Sequence, residues 1–448
     1  MNLIKKLAFA FCIFNSACLF SQTTYPTNGA PNPNHNYYAF TNCTLHVDAE
    51  NIINNAVLLV KDGQITDAAE KVTIPPGAVV YDLKGKHIYP SFIEMYSDYG
   101  MPEGKPASRN FGPPQMESNI KGAYGWNQAI RSDAEARKFF NNNDAKADEL
   151  RKLGFGAVLT SVKDGIVRGS GTVVLLNTQK KENENVVKDK AAAFYSFSKG
   201  SSTQDYPSSL MGSIALLRQT YLDAQWYNDN KTKTEYNLSL EAFIALQQLP
   251  AIFEVGDKLS ALRADKIGDE FKVKYIIKGK GDEYQRIHDI EQTGCKYIVP
   301  LNFPDAYDVE DPFDAELVET ADLKHWEMAP ANAKFMQDNF IPFALTTADL
   351  KDKTKFFKNL RKAIQYGLTE KNALKTLTSI PAEMLGMSDR IGSLKKGMMA
   401  NFIITSKNIF EEGSIIYENW VNGNAYRLSD WNAPDIRAQY ELSYNGNK

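Results

Sequence analysis

Histidine is the residue to count first, because neutral imidazole is the commonest protein ligand for a metal and titrates near neutral pH. The chain has five: His35, His46, His87, His288 and His325. Three precede residue 89, and only His288 and His325 fall in the long central region. His288 lies in a helical stretch near Tyr284 and Ile287 and reads as a packed or surface histidine. His325 precedes Trp326 in what reads as a loop before a helix at Pro330, where a structural role is favoured. No Ser-His-Asp arrangement, phosphate-binding Walker loop, Cys-x-x-Cys pair or dinucleotide fingerprint is present. Gly169-Ser170-Gly171, after Arg168, lacks phosphate-loop spacing and reads as a turn into the next strand. The cysteines are Cys12, Cys18, Cys43 and Cys295. The last two are too few for a disulfide framework.

Composition narrows the classes. With 448 residues, 43% of them apolar, the chain can bury a large core or a large and a small one. Lys and Arg total 51 against 54 Asp and Glu, a net charge of -3. That balance, without long charged blocks, gives no support to a nucleic-acid partner. Lys5 and Lys6, the apolar run Leu7 to Phe20, then Ser21 and Gln22 follow the grammar of a secretory signal peptide over residues 1–21. The expectation is an exported protein, periplasmic or secreted. Asn15 disfavours reading Cys18 as a lipid-anchored cysteine. No other stretch is long and apolar enough for a transmembrane span.

The elements that must position any site follow from the pattern. Residues 22–36 are rich in Pro, Asn and Thr and read as a flexible lead-in. Residues 37–88 alternate as strands, including a hairpin that turns at Lys61-Asp62-Gly63. From 89 to 389, short apolar runs alternate with helical ones: Ala157–Ser161, Thr172–Leu176, Ala251–Val255, Lys274–Ile277, Tyr297–Leu301 and Pro342–Thr346 read as strands. Leu210–Trp226 reads as a helix. Such alternation implies an α/β fold with a parallel sheet, and the length suits a (β/α)8 TIM-like barrel. Strand signals return at 390–430, with an Asn422-Gly423 turn. A small β-sandwich domain, 37–88 plus 390–430, would then be built from both termini around the 89–389 barrel. Residues 431–448 read as a tail, or as the opening of a further segment.

Three segments resemble the amidohydrolase superfamily, in its imidazolonepropionase-like or dihydroorotase-like branch. They are Asn55-Ala-Val-Leu-Leu-Val-Lys-Asp-Gly-Gln-Ile with Ile74-Pro-Pro-Gly; Ile88-Tyr-Pro-Ser-Phe-Ile-Glu, where the family enters its first barrel strand; and Leu368-Thr-Glu-Lys-Asn-Ala-Leu through Arg390-Ile-Gly-Ser-Leu-Lys-Lys-Gly-Met-Met-Ala-Asn. The resemblance implies metal-assisted hydrolysis of C–N bonds, with four histidines and a strand-8 Asp around the ion. Here the matching positions carry other residues. Strand 1 ends Tyr96-Ser97-Asp98 in place of His-x-His. Strand 5 offers Glu254 and strand 6 Lys278. The strand-8 aspartate position is Ala348, and Asp349 lies one residue late, where a side chain should point elsewhere.

Tyr96, Asp98, Glu254, Lys278, Thr346, Thr347 and Asp349 are therefore the candidates for the barrel mouth. Glu254 and Lys278, on neighbouring strands, could pair, the ammonium supplying the charge of the missing ion. Alternatively, Asp98, Glu254 and Asp349 could form a carboxylate site for a hard ion. No cofactor is otherwise expected; Zn or Mg enters only with that non-standard site. Three functions compete: an amidohydrolase-like module without catalysis, supporting a second amidohydrolase half or a homo-oligomer; an active hydrolase with a non-standard site; and a barrel that binds a small amide or peptide-like ligand.

Overall fold

The structure is a computed structural model that describes residues 36–102, 112–119, 126–232 and 234–431. The expected signal peptide over residues 1–21, residues 22–35 of the expected lead-in and residues 432–448 of the expected tail lie outside these residues. Among the described residues, no helix is long and apolar enough to cross a membrane.

The strands form two eight-stranded sheets. The first contains β1 (Tyr38–His46), β2 (Ile52–Lys61), β3 (Gln64–Ala69), β4 (Val79–Asp82), β5 (His87–Pro90), and, from the other end of the chain, β14 (Phe402–Thr405), β15 (Ile416–Val421) and β16 (Asn424–Arg427). The two ends join where β14 runs antiparallel to β5, Ile403 opposite Tyr89. Two hairpins frame this sheet. At Asp62-Gly63 the φ angles are 51° and 77°, and at Asn422-Gly423 they are 51° and 79°, the paired positive values that a two-residue turn between twisted strands needs. The two turns also pack on each other. A Cβ on Gly63 would lie 2.6 Å from Asn422 Oδ1, and one on Gly423 2.7 Å from the Gly63 Cα, so neither glycine can be replaced without movement. Beneath them Trp420 meets Phe40 edge-on at 5.0 Å and stacks on Phe402 at 5.5 Å.

The second sheet follows chain order: β6 (Phe92–Ser97), β7 (Phe155–Thr160), β8 (Val167–Leu175), β9 (Val186–Ser196), β10 (Ala251–Glu254), β11 (Tyr275–Lys278), β12 (Lys296–Pro300) and β13 (Phe343–Thr346). Their burial on both faces explains why they read as continuous apolar runs. The expectation of a parallel sheet needs correction at one strand. β6 and β7 are parallel, as are β9 to β13, but β8 is antiparallel to both its neighbours. Only a short loop separates β7 from β8, and a parallel return needs a crossover of a dozen or more residues. Gly169-Ser170-Gly171 is not a turn before this strand but part of it. Gly169 has φ +76°, and a Cβ there would come within 1.8 Å of the Ala134 carbonyl oxygen. That carbonyl accepts a hydrogen bond from Ser170 N at 2.9 Å, so the glycine admits a chain that docks onto the strand. The helix expected at 210–226 runs Leu210–Asp229, capped by Ser209, whose side chain accepts from Gly212 N.

Two of the histidines outside the central region, His46 and His87, sit at the seam of the first sheet. His46 Nε2 and His87 Nδ1 are 3.1 Å apart, and His46 stacks on Tyr89 at 3.9 Å. Burial, helped by the neighbouring His87, pushes His46 down to about 4. A histidine depressed in the folded state is protonated first in the unfolded chain. It therefore costs no stability above its ordinary value near 6.5 and progressively more as pH falls from there to about 4. Thermal melts of the wild type and His46→Gln should differ by a gap that changes across this window and is constant above it. A pH-independent gap would contradict the assignment.

Candidate functional site

Every parallel strand of the second sheet ends on the same side, and a group of buried charged residues gathers there. β6 begins the set. Glu94 lies within a strand buried along its whole length and is 1% exposed. Its carboxylate accepts from Tyr96 N at 3.0 Å, from Thr347 N at 2.8 Å, from Thr347 Oγ1 at 2.7 Å and from Thr346 Oγ1. A buried carboxylate persists only with such partners. Three of these donors belong to the end of β13, so this one side chain ties the first strand of the sheet to the last.

Two residues on, Tyr96 is 2% exposed and lies where the register between β6 and β7 shifts. Arg168, at the start of β8, donates from one guanidinium nitrogen to the Tyr96 hydroxyl at 2.8 Å and lies 2.8 Å from Glu254 Oε2. Its Nε donates to Gly165 O at 3.0 Å, which fixes the plane of the guanidinium. Burial alone would raise the Glu254 carboxyl, but Arg168 and Lys278 outweigh it and hold the group below its ordinary range. The Tyr96 hydroxyl is pushed well up by burial and by Glu254. The aromatic face of Tyr96 carries two ammoniums, Lys163 at 4.3 Å from the ring centroid and Lys278 at 5.6 Å. Burial lowers the Lys163 ammonium, against the opposing pull of Asp98 and Glu254.

Lys278, 1% exposed, ends β11 and pairs with Asp349; Lys280 reaches the same carboxylate at 3.1 Å. Burial would raise Asp349, and the two lysines hold it down instead. Asp349 can turn to them because its backbone is left-handed, with φ 67°, a conformation an aspartate tolerates better than most residues. The loop that carries the lysines is held by Glu283. This fully buried carboxylate accepts from Lys280 N at 2.9 Å and from Asn332 Nδ2 at 2.7 Å. A Cβ on Gly279 would collide with it at 1.9 Å.

The structure thus brings Tyr96, Glu254, Lys278, Thr346, Thr347 and Asp349 together, with Asp98 exposed at the edge. It corrects the expected pairing. Glu254 and Lys278 are register partners on adjacent strands, but their ion pairs run elsewhere, to Arg168 and to Asp349. The offset of Asp349 was expected to aim it away; the left-handed backbone brings it back. The carboxylate cluster is also not formed: among the described residues, no three His, Cys, Asp or Glu side chains converge so as to hold a metal ion. His288 is an exposed helical residue, and His325, inside the helix Thr320–Met328, lies 3.0 Å from the Tyr284 hydroxyl. Sequence reasoning missed Glu94, Lys163, Arg168 and Lys280. The available signal was a charge inside an otherwise apolar run, visible in Phe-Ile-Glu94-Met and Ile-Val-Arg168-Gly.

The metal that the family resemblance implies does not fit these residues. Two ammoniums and a guanidinium stand where a divalent cation would need ligands, and Glu254 and Asp349 already accept from them. A second cation would meet like charge without free donors.

In folds of this kind the carboxyl ends of the parallel strands are where functional sites lie. Comparison with known proteins shows what the chain is similar to. The amidohydrolase family model matches residues 317–428. Amidohydrolase tasK of Hapsidospora irregularis is 33% identical over 64 residues, which is 14% of this chain and 6% of that protein. The matched segment therefore spans only a small fraction of the relative's length. Among solved structures, an amidohydrolase from Thermotoga maritima MSB8 superposes with a TM-score of 0.68 at 21% identity, covering 87% of this chain and 100% of that one. A prolidase complexed with N-methylphosphonate-L-proline gives 0.50 at 12% identity, covering 88% and 100%. Residues 317–428 are thus similar to the amidohydrolase family, and the fold as a whole is that of the superposed structures.

Removing one member of a buried ion pair strands the other charge, whereas removing both does not. Arg168→Met should cost about 3 kcal/mol and raise the Glu254 carboxyl; Arg168→Met/Glu254→Leu should regain most of the loss. Chemical denaturation checks this, and a double variant no more stable than the single one would contradict the pairing.

Proposed function

We propose that this protein is an exported, non-catalytic amidohydrolase-like module, in which internal ion pairs stand where the family holds its metal. The observation that carries the reading is the pair of contacts Arg168–Glu254 and Lys278–Asp349, which occupy the strand ends with protein cations. A hydrolase of this class needs an activated water, and activation needs a metal or a free base near it. Here Glu254 and Asp349 are ion-paired and held as anions, and Glu94 is engaged by four hydrogen bonds.

The fold supports this in a finer form. The second sheet is read as a closed TIM-like barrel with one reversed strand, with Glu94 as the bond across the closure. The first sheet is read as the small β-sandwich domain made from both ends of the chain. Export rests on the N-terminal basic and apolar segment. The partner proposed is a second amidohydrolase half or another copy of this chain. Met211, Leu222 and Trp226 lie on one side of the helix Leu210–Asp229 and are 79%, 48% and 59% exposed, the kind of apolar surface an interface covers.

The test is metal content by elemental mass spectrometry together with a panel of amide, cyclic amide and dipeptide substrates, with and without chelator. The expected outcome is metal well below one equivalent and no chelator-sensitive turnover. One equivalent of metal with turnover that chelation abolishes would overturn the proposal.

A further inference from the structure

A cavity away from the ion pairs has a different composition. It measures about 500 Å³ and lies between the loop after β12, at Asn302–Ala306, and the segment after β13, at 350–362. Both segments leave the carboxyl ends of their strands, so the cavity opens on the same side as the ion-paired site. The volume falls within the range of small-molecule pockets. Its walls carry four lysines, Lys351, Lys355, Lys358 and Lys362, against two carboxylates, Asp305 and Asp352.

The lysines are placed by helical geometry. Phe356–Gln365 is a helix that buries Phe356, Leu360 and Ala363. Lys355, Lys358 and Lys362, spaced i, i+3 and i+7, fall on one face of it, the face turned to the cavity. At 1.5 Å per residue they spread charge over about 10 Å.

The two carboxylates do little to neutralise them. Asp352 accepts from Thr354 N at 3.0 Å and from its hydroxyl at 2.6 Å, which commits it to the turn. Asp305 reaches Lys355 only at 3.9 Å. Lys362 lies 5.9 Å from the Phe303 ring centroid. Among the described residues, Lys351 and Lys358 have no carboxylate within ion-pairing distance. Like charges gathered on one wall repel each other and raise the free energy of the empty site, a cost that a polyanion would relieve.

We propose that this cavity is a binding site for a small polyanion bearing two or more phosphate or carboxylate groups about 10 Å or less across. The lysines supply charge and donors, and Phe303 and Trp326, which also line the cavity, supply apolar contact to its carbon skeleton. The site is separate from the Arg168 and Lys278 pairs and does not depend on whether the strand ends are catalytic.

The test is isothermal titration of the full chain at low ionic strength with pyrophosphate in one arm and citrate in the other. The expected result is saturable one-to-one binding of at least one probe, weakened by added salt and reduced at least ~10-fold in Lys358→Gln/Lys362→Gln, as loss of charge-assisted contacts predicts. Lys324→Gln, which alters a lysine paired with Glu327 rather than one lining the cavity, should bind as wild type. Binding of pyrophosphate alone identifies a phosphate site, and binding of citrate alone a carboxylate site. No saturable binding of either probe, or equal binding by the double variant with an unchanged melting curve, would overturn the proposal.

Discussion

Carboxylates collected at the ends of parallel strands need cations or hydrogen-bond donors to remain in a buried site, and this protein supplies both from its own residues. Arg168 answers Glu254, while Lys278 and Lys280 answer Asp349. Tyr96 sits between the two sets, its hydroxyl on the guanidinium and its ring beneath two ammoniums. The pairs are tied to the frame: Arg168 through Gly165, Lys280 through Glu283, and Asp349 through its left-handed backbone.

Glu94 shows the same constraint met without a cation. Its four hydrogen bonds come from neutral donors, and three of them come from β13. A carboxylate in the family's strand-1 entry segment is thus used to hold the first strand against the last. Glu94 is bound by two threonines and the Tyr96 amide, Glu254 by arginine and Asp349 by two lysines, so these three carboxylates form one connected polar network. Such networks are costly when partly satisfied and rigid when complete.

Much of this was legible in the residues. The hairpins at Asp62-Gly63 and Asn422-Gly423 announced themselves because few sequences can adopt two successive positive φ values. The strands from Ala251 to Thr346 were visible as short apolar runs. The joining of the two chain ends in one sheet followed from β signals on either side of a strand–helix region. The reversed β8 was missed because its start was read at Thr172, whereas the strand begins at Val167 and leaves a link too short for a parallel return. Arg168 was passed over because sequence separates it from Glu254 by many residues, and only the order β8-β9-β10 brings them together. Asp349 was read by ordinary strand alternation, which a left-handed residue escapes. The residues at the positions that resemble the family's ligand sites were read as an expectation; which cation would meet which carboxylate depended on side-chain reach.

The central claim is that protein cations fill the place of the metal. Anomalous diffraction at the zinc edge from crystals grown with zinc tests it most directly. The expected result is no anomalous peak at the strand ends, with the Arg168 guanidinium against Glu254 and the Lys278 ammonium against Asp349. A strong peak bridging Glu254 and Asp349, with Arg168 and Lys278 turned away, would contradict it.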